Sequence, residues 1–470
     1  MDSPDLCFLS VADLSRLLRN KEVSPVEVVT ACLSRTEALE PSLNSFITLM
    51  PDEAMAAARQ AEQEIQAGRY RGPLHGIPLG LKDLFYVKGV RNTSGVKVFD
   101  AYIPDFDCTI AKKLKEGGAI ILGKLNMSPM ARGTTGENPD YGDMHNPWNP
   151  QLITGGSSGG SGSAVASGQC PFAMGSDTGG SVRIPSALCG LVGLKPTYGR
   201  LSRYGLNVLS WGLDHPGPMS RTVEDSALIM NVIAGYDSND PTTSKAPVPD
   251  YTKALTGEIR GLRVGVPKEF FEVPVNPEVE QSVRKAIDQL GSLGARITEV
   301  SWPMYHHATP IGGTILTAEA SACYSELVRT HGPRLYPPLR LSLEAGFFLS
   351  AKDYIQAQQA RTLTCRESAD LFTEVDLLAG PTVPVTPFKI GLAEVKVGNA
   401  TMGVTPALTQ YTRSFNLTGS PAITIPCGYS ENNLPIGLQL AGRPFDEETV
   451  LRAAHAYEQS TTWHQKRPGS

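Results

Sequence analysis

The sequence has little of what announces a metal, a membrane or a nucleic acid. No Cys-x-x-Cys pair occurs among its eight cysteines, which excludes a zinc knuckle and a thioredoxin-like motif. Eight scattered cysteines in 470 residues do not make a disulfide scaffold, so buried free thiols in a reducing compartment are expected. The eight histidines lack ligand spacing: His306 and His307 are adjacent, and a helix does not stack neighbours on one face. No metal and no cofactor is expected. Lys and Arg number 42 against 47 Asp and Glu, a net charge of −5 without a long run of one sign, so no nucleic-acid partner is indicated. No apolar run nears the ~20 residues that span a bilayer. The start Met1-Asp2-Ser3-Pro4-Asp5 lacks the basic and apolar stretches of a signal peptide, and a cytoplasmic location is expected. No repeat shows at periods of 20–50 residues.

What is present is a folded α/β pattern. Hydrophobic residues make up 41% and charged residues 19%, which fits neither a disordered chain nor a coiled coil. Ser10-Val11-Ala12-Asp13 and Ser24-Pro25-Val26-Glu27 read as helix starts, with Leu14, Leu17 and Leu18 behind the first and Val28, Val29, Cys32, Leu33 and Thr36 behind the second. Residues 119–122 read as a buried strand. Thr222 to Asp225 caps a helix bearing Leu228, Ile229, Val232 and Ile233, stopping at Gly235. Residues 262–266, 296–300, 375–379, 423–425 and 437–440 read as strands, and Asn276-Pro277-Glu278 starts another helix. The alternation predicts one large α/β domain over 1–470, a central mixed sheet with helices on both faces. Within it, 1–60 reads as helical scaffold, 65–235 as the catalytic core and 255–470 as the part that shapes a pocket. Residues 236–251 read as a surface loop between the last two.

The most unusual composition lies between 154 and 186. Gly155-Gly156-Ser157-Ser158-Gly159-Gly160-Ser161 and Ser176-Asp177-Thr178-Gly179-Gly180-Ser181-Val182-Arg183-Ile184-Pro185 are two Gly/Ser clusters. The small and apolar residues between them suit a short buried helix and a strand. Glycine-rich turns let several N–H groups converge on one ligand atom, either a phosphate or an oxyanion. A phosphate loop needs a lysine after the glycines, and none follows. A dinucleotide fingerprint needs Gly-x-Gly-x-x-Gly after a strand, which neither cluster supplies. An aspartic-protease reading of Asp177-Thr178-Gly179 needs a second such triplet. A flexible linker does not fit the apolar residues that separate the clusters.

A serine nucleophile with a backbone oxyanion hole remains, and it needs a base. No histidine lies nearby in sequence. Lys82 ends the apolar, Gly/Pro-punctuated run Leu74-His75-Gly76-Ile77-Pro78-Leu79-Gly80-Leu81. A lysine there is expected to be buried, and burial favours the neutral amine. Neutralising an ordinary lysine at pH 7 costs ~4 kcal/mol, which desolvation and neighbouring hydroxyls must supply. Taken alone, Lys82 also reads as a lysine in a surface loop.

Lys82 in Gly-x-Pro-x-x-x-Lys-Asp, Ser157 in Gly-Gly-Ser-Ser-Gly-Gly-Ser, and Ser181 in Asp-Thr-Gly-Gly-Ser-Val-Arg-Ile-Pro together resemble the amidase signature family. Segments 194–199, 214–218, 380–382 and 435–440 are similar to its later segments. The resemblance implies a catalytic triad of Ser181 as nucleophile, Ser157 as bridging serine and Lys82 as general base. It implies that the N–H groups of Thr178, Gly179, Gly180 and Ser181 hold the oxyanion, and that the Gly156–Ser157 bond is cis. Ser158 is expected to hydrogen-bond within the site. Asp177 and Arg183 are expected to brace the loops, with an anionic substrate group as the other use of Arg183.

The resemblance implies hydrolysis of a small-molecule carboxylic amide to acid plus ammonia or amine, with no nucleic acid or membrane contacted directly; it allows a homodimer. Segments 203–206 and 261–267 resemble the glutamine-hydrolysing subunits of tRNA-dependent amidotransferases, which makes that role, with partner subunits, the alternative. Those subunits carry an acidic residue for the glutamine amino group shortly before a segment like Asn416-Leu417-Thr418-Gly419; here residues 407–412 contain no carboxylate, which favours a stand-alone amidase. Pocket walls are expected from 134–141 and 311–353. Leu335 to Leu341 and Phe347-Phe348-Leu349 suggest an apolar lining, hence an aryl or alkyl amide, with plain core packing as the other reading.

Overall fold

The computed structural model describes residues 6–469; the reading of residues 1–5 lies outside them. Local chemistry sets the helix starts. Ser24 caps the helix Pro25–Leu43 in a reciprocal box with Glu27, and Thr222 does the same with Asp225 for Val223–Ile233. The first of these helices buries Val28, Val29, Cys32 and Thr36, while Leu33 is only half-buried.

Eleven strands form one sheet: β1 (Phe46–Leu49), β2 (Pro78–Lys82), β3 (Ile120–Leu125), β4 (Phe172–Asp177), β5 (Val192–Lys195), β6 (His215–Ser220), β7 (Arg263–Pro267), β8 (Arg296–Val300), β9 (Leu377–Pro381), β10 (Ala422–Tyr429) and β11 (Pro435–Gly442). Their spatial order is β1-β3-β2-β4-β6-β5-β10-β11-β9-β7-β8. β3, β2 and β4 run parallel, as do β9, β7 and β8; the other pairings are antiparallel. The expected mixed sheet is therefore present, and every residue of β2, β3, β4, β5 and β6 is buried. Helices pack against it, among them the small-residue helix Gly159–Ala166 and the helices Pro277–Ser292 and Glu447–Gln459, while the long helices Ala308–His331 and Ala351–Glu374 pack on each other. No described helix is long and apolar enough to cross a membrane.

β6 was not apparent from the pattern, because it contains Pro216 and Pro218. The two prolines lie two residues apart, so their missing N–H groups face the same edge. On the β4 side the pairing runs through the whole of β6; on the β5 side it covers only Val192↔Ser220 and Gly193↔Met219. The strand thus keeps its full ladder on one side only. Adjacent parallel strands bring the carboxyl ends of β2 and β4 to the same edge of the sheet, the usual place for a ligand in such folds.

Candidate active site

Lys82 is the last residue of β2, and its side chain has no exposed surface. Its Nζ lies 2.7 Å from Ser157 Oγ, 2.9 Å from Ser158 Oγ and 2.9 Å from Ser176 Oγ. No carboxylate among the described residues bonds to it. Burial brings its pKa down to about 7, against a partial upward pull from Asp214 and Asp177. The expected buried amine is therefore in place. The Gly156–Ser157 peptide is cis. Ser158, just before the helix Gly159–Ala166, also donates to the Ser176 carbonyl at 3.2 Å. Helix Gly159–Ala166 must start with glycines, since a Cβ at Gly160 would meet the Ser45 carbonyl at 2.5 Å.

Ser181 lies in the loop that follows β4 and lines a cavity of about 710 Å³. The loop is held by Asp177. Its carboxylate accepts from the N–H of Gly180 (2.8 Å) and Val182 (3.2 Å), from Arg183 Nε (3.0 Å) and Nη2 (2.9 Å), and from Asn416 Nδ2 (2.8 Å). Burial alone would raise Asp177, but the Arg183 guanidinium beside it holds its carboxyl well below the usual carboxylate range. Arg183, fully buried, also donates to the Thr412 carbonyl, Gln439 Oε1 and Asn416 Oδ1. It spends its donors on the fold and does not line the cavity, so it braces the loop and leaves the anionic-substrate use without support.

Removing one partner of such a pair leaves an uncompensated buried charge. Arg183→Met is expected to lower unfolding stability by about 3–5 kcal/mol in urea titrations. A loss under about 1 kcal/mol would show that the clamp does not hold the fold.

The loop departs from expectation at one position. Gly180 gives its N–H to Asp177 and is therefore not available to an oxyanion. The N–H groups of Thr178, Gly179 and Ser181 donate to no acceptor among the described residues, and these three residues line the cavity. Gly180 itself is needed for its backbone: its φ is +132°, and a Cβ there would collide with Thr412 Oγ1 and the Ile184 side chain. His215, the histidine nearest in the fold, bonds to the carbonyls of Leu213 (2.6 Å) and Asp177 (3.3 Å), not to a serine.

The cavity walls include residues of the two regions expected, Thr134, Thr135 and Glu137 from the first and Leu316, Tyr336, Pro338 and Leu339 from the second, but also segments outside them, among them 129–133, Leu209, Thr405 and Arg413. The apolar lining is smaller than its sequence suggested. Leu335 is buried, while Leu341, Phe347 and Phe348 are exposed at 66%, 53% and 88% and lie outside the cavity. Nor is the cavity free of carboxylates. Thr409 occupies the wall where residues 407–412 approach, but Glu137 and Asp143 supply acids from elsewhere.

The sequence pattern did not single out Ser176, Asn416, Arg132 or Arg413. Ser176 is one serine among many in a Gly/Ser-rich stretch. Asn416 and Arg413 lie more than two hundred residues from the loop they contact, beyond the reach of local patterns.

The family model described as Amidase matches residues 27–451. A glutamyl-tRNA(Gln) amidotransferase subunit of Chloroflexus aurantiacus is 43% identical, over 99% of both chains. A solved structure from a vestigial protein complex bearing on the origins of an s-triazine catabolic enzyme superposes with a TM-score of 0.92 at 31% identity, covering 96% of this chain and 98% of that one. The structure of the corresponding glutamyl-tRNA(Gln) amidotransferase subunit from Thermotoga maritima gives 0.82 at 32% identity, covering 97% and 96%. With three motifs, fold and full-length similarity in agreement, this chain belongs to the amidase signature family.

Proposed function

We propose that the chain breaks the C–N bond of a carboxylic amide through a Ser181 acyl-enzyme, with Ser157 relaying a proton to neutral Lys82. The observation that carries this reading is the Lys82 amine, sealed from water among three hydroxyls.

A proton count supports the relay. A neutral amine has two N–H donors and one lone pair. Ser158 commits its own hydrogen to the Ser176 carbonyl, so it accepts from Lys82. Ser176 accepts the second N–H, and the lone pair is left for the Ser157 hydroxyl. Ser181 Oγ makes no hydrogen bond to another described residue, so the relay requires it to turn onto Ser157, which then takes its proton as Ser181 Oγ attacks the carbonyl carbon. The resulting oxyanion falls to the N–H groups of Thr178, Gly179 and Ser181; one such donor contributes about 3 kcal/mol to the barrier. Return of the proton through Ser157 lets the nitrogen leave as ammonia or amine. Water attacks the acyl-enzyme by the same relay, giving the acid and free Ser181.

A second reading concerns where the ammonia goes. Relatives that match over nearly the whole chain are amidotransferase subunits, which favours a glutamine-hydrolysing subunit working with partner proteins over a stand-alone amidase. Glu137 and Asp143 answer the missing carboxylate at 407–412 as candidates for the glutamine amino group. The purified chain, assayed for ammonia from a panel of amides including glutamine, tests both. Turnover by the chain alone supports the hydrolase. Glutamine turnover only with amidotransferase partner subunits and charged tRNA supports the subunit role.

A further inference from the structure

Two arginines line the cavity, and no carboxylate among the described residues pairs with either. Arg413 begins the short helix Arg413–Leu417 and is only 7% exposed. Its Nε is buried without an acceptor, and neither Nη has a hydrogen-bond partner among the described residues. Its Nη2 lies 3.3 Å from where a Cβ on Gly179 would stand, so the guanidinium sits against the Ser181 loop. Its stem packs on Gly312, where any side chain would displace it. Arg132, also in the lining, has a buried Nη1 without an acceptor, and its side chain bonds among the described residues only to Thr317 Oγ1, at 3.3 Å.

A buried guanidinium without a partner is costly, and here Arg413 faces the cavity with the half-buried Arg132 charge lining it as well. Burial, then the Arg132 charge, brings Arg413 down to about 10, and no carboxylate pulls it back. Glu137 and Asp143 share the cavity without pairing with either arginine; Asp143 instead accepts the Asn138 N–H at 2.9 Å. The absent counter-ion is therefore expected from outside. A planar carboxylate matches the guanidinium fork, and an amide group must stand at Ser181 at the same time.

We propose that Arg413, with Arg132, anchors a carboxylate of the substrate, so that the site takes amides whose other end is a carboxylate. This rests on the Ser181 reading above and names the substrate class for that same site. The class takes in the half-amides of dicarboxylic acids and glutamine. Proximity of Arg413 to Gly179 calls for a short spacer between the two groups.

The test compares succinamate and glutaramate with the uncharged butyramide and valeramide. In the unaltered protein kcat/KM is expected to be about 100-fold higher for the charged member of each pair. In Arg413→Met that ratio falls below about 5, and in Arg413→Lys, which keeps the charge but loses the fork, it falls between. Succinate is expected to raise Tm in the unaltered protein and not in Arg413→Met. Should Arg413→Met fail to fold, Arg132→Gln and the unaltered protein's own ratio carry the test. A ratio near one, or one unchanged in Arg413→Met, overturns the anchor. Labelling of Ser181 by a fluorophosphonate separates the two readings. A labelled protein with a ratio near one and no succinate effect loses the anchor alone. An unlabelled protein that succinate still stabilises loses the hydrolase reading alone.

Discussion

Ser181→Ala is expected to lower kcat by about 10⁶-fold and to abolish fluorophosphonate labelling, while the circular dichroism spectrum and Tm stay close to those of the unaltered protein. The size follows from the unit character of the relay. Without the Ser181 oxygen no acyl-enzyme forms, and the Ser157–Lys82 pair has no nucleophile to serve. The fold should tolerate the change, because Ser181 Oγ makes no hydrogen bond to another described residue, and Asp177 holds the loop through other groups. Hydrolysis retained within about tenfold, measured as ammonia release, would place the nucleophile elsewhere.

Lys82→Met is expected to lower kcat by at least about 10⁴-fold and to change two pH profiles. In the proposed relay the working form is the neutral amine. With a pKa of about 7, kcat/KM in the unaltered enzyme rises with pH and levels off above it; at pH 5.5 it is about 30-fold below the plateau. Stability carries the same sign. The unfolded lysine titrates near 10.5 and the folded one near 7, so between them the unfolded state holds a proton that the folded state has released. Unfolding free energy therefore gains up to about 1.4 kcal/mol per pH unit from 7 to 10.5. Below about 7 both states are charged and the burial cost is full and constant. Lys82→Met removes this contribution, so the difference between the two proteins changes by about 5 kcal/mol across that interval. Urea titrations at pH 6, 8 and 9.5 measure it; parallel profiles would mean that Lys82 is charged in the folded state.

Much of the candidate site was legible because its chemistry is local. Lys82, Ser157 and Ser181 each sit in a short run whose composition stands apart from ordinary scaffold. The helix starts at Ser24 and Thr222 were legible for the same reason, since an N-cap and its N3 partner are three residues apart. What escaped depends on contacts across the chain. Arg132 and Arg413 meet only through the fold. Gly180 looked like its neighbours, and the turn of one peptide plane toward Asp177 removed its donor. β6 hid behind two prolines that a strand tolerates only where part of one ladder is missing.

One stretch of the cavity wall belongs to a different part of the molecule from the groups beneath it. Lys82 and Ser176 come from β2 and β4, inside the sheet, whereas Tyr336, Pro338, Leu339 and Ser342 come from a peripheral helical segment. What that outer segment contributes to the wall is thereby separable from the Lys82 centre, whereas Arg413, which packs against the Ser181 loop, is not. Insertions or substitutions in that outer segment can retune which compounds enter, while the proton-handling centre is left undisturbed. A scaffold divided in this way lends itself to divergence, and to laboratory redesign by exchanging that segment alone.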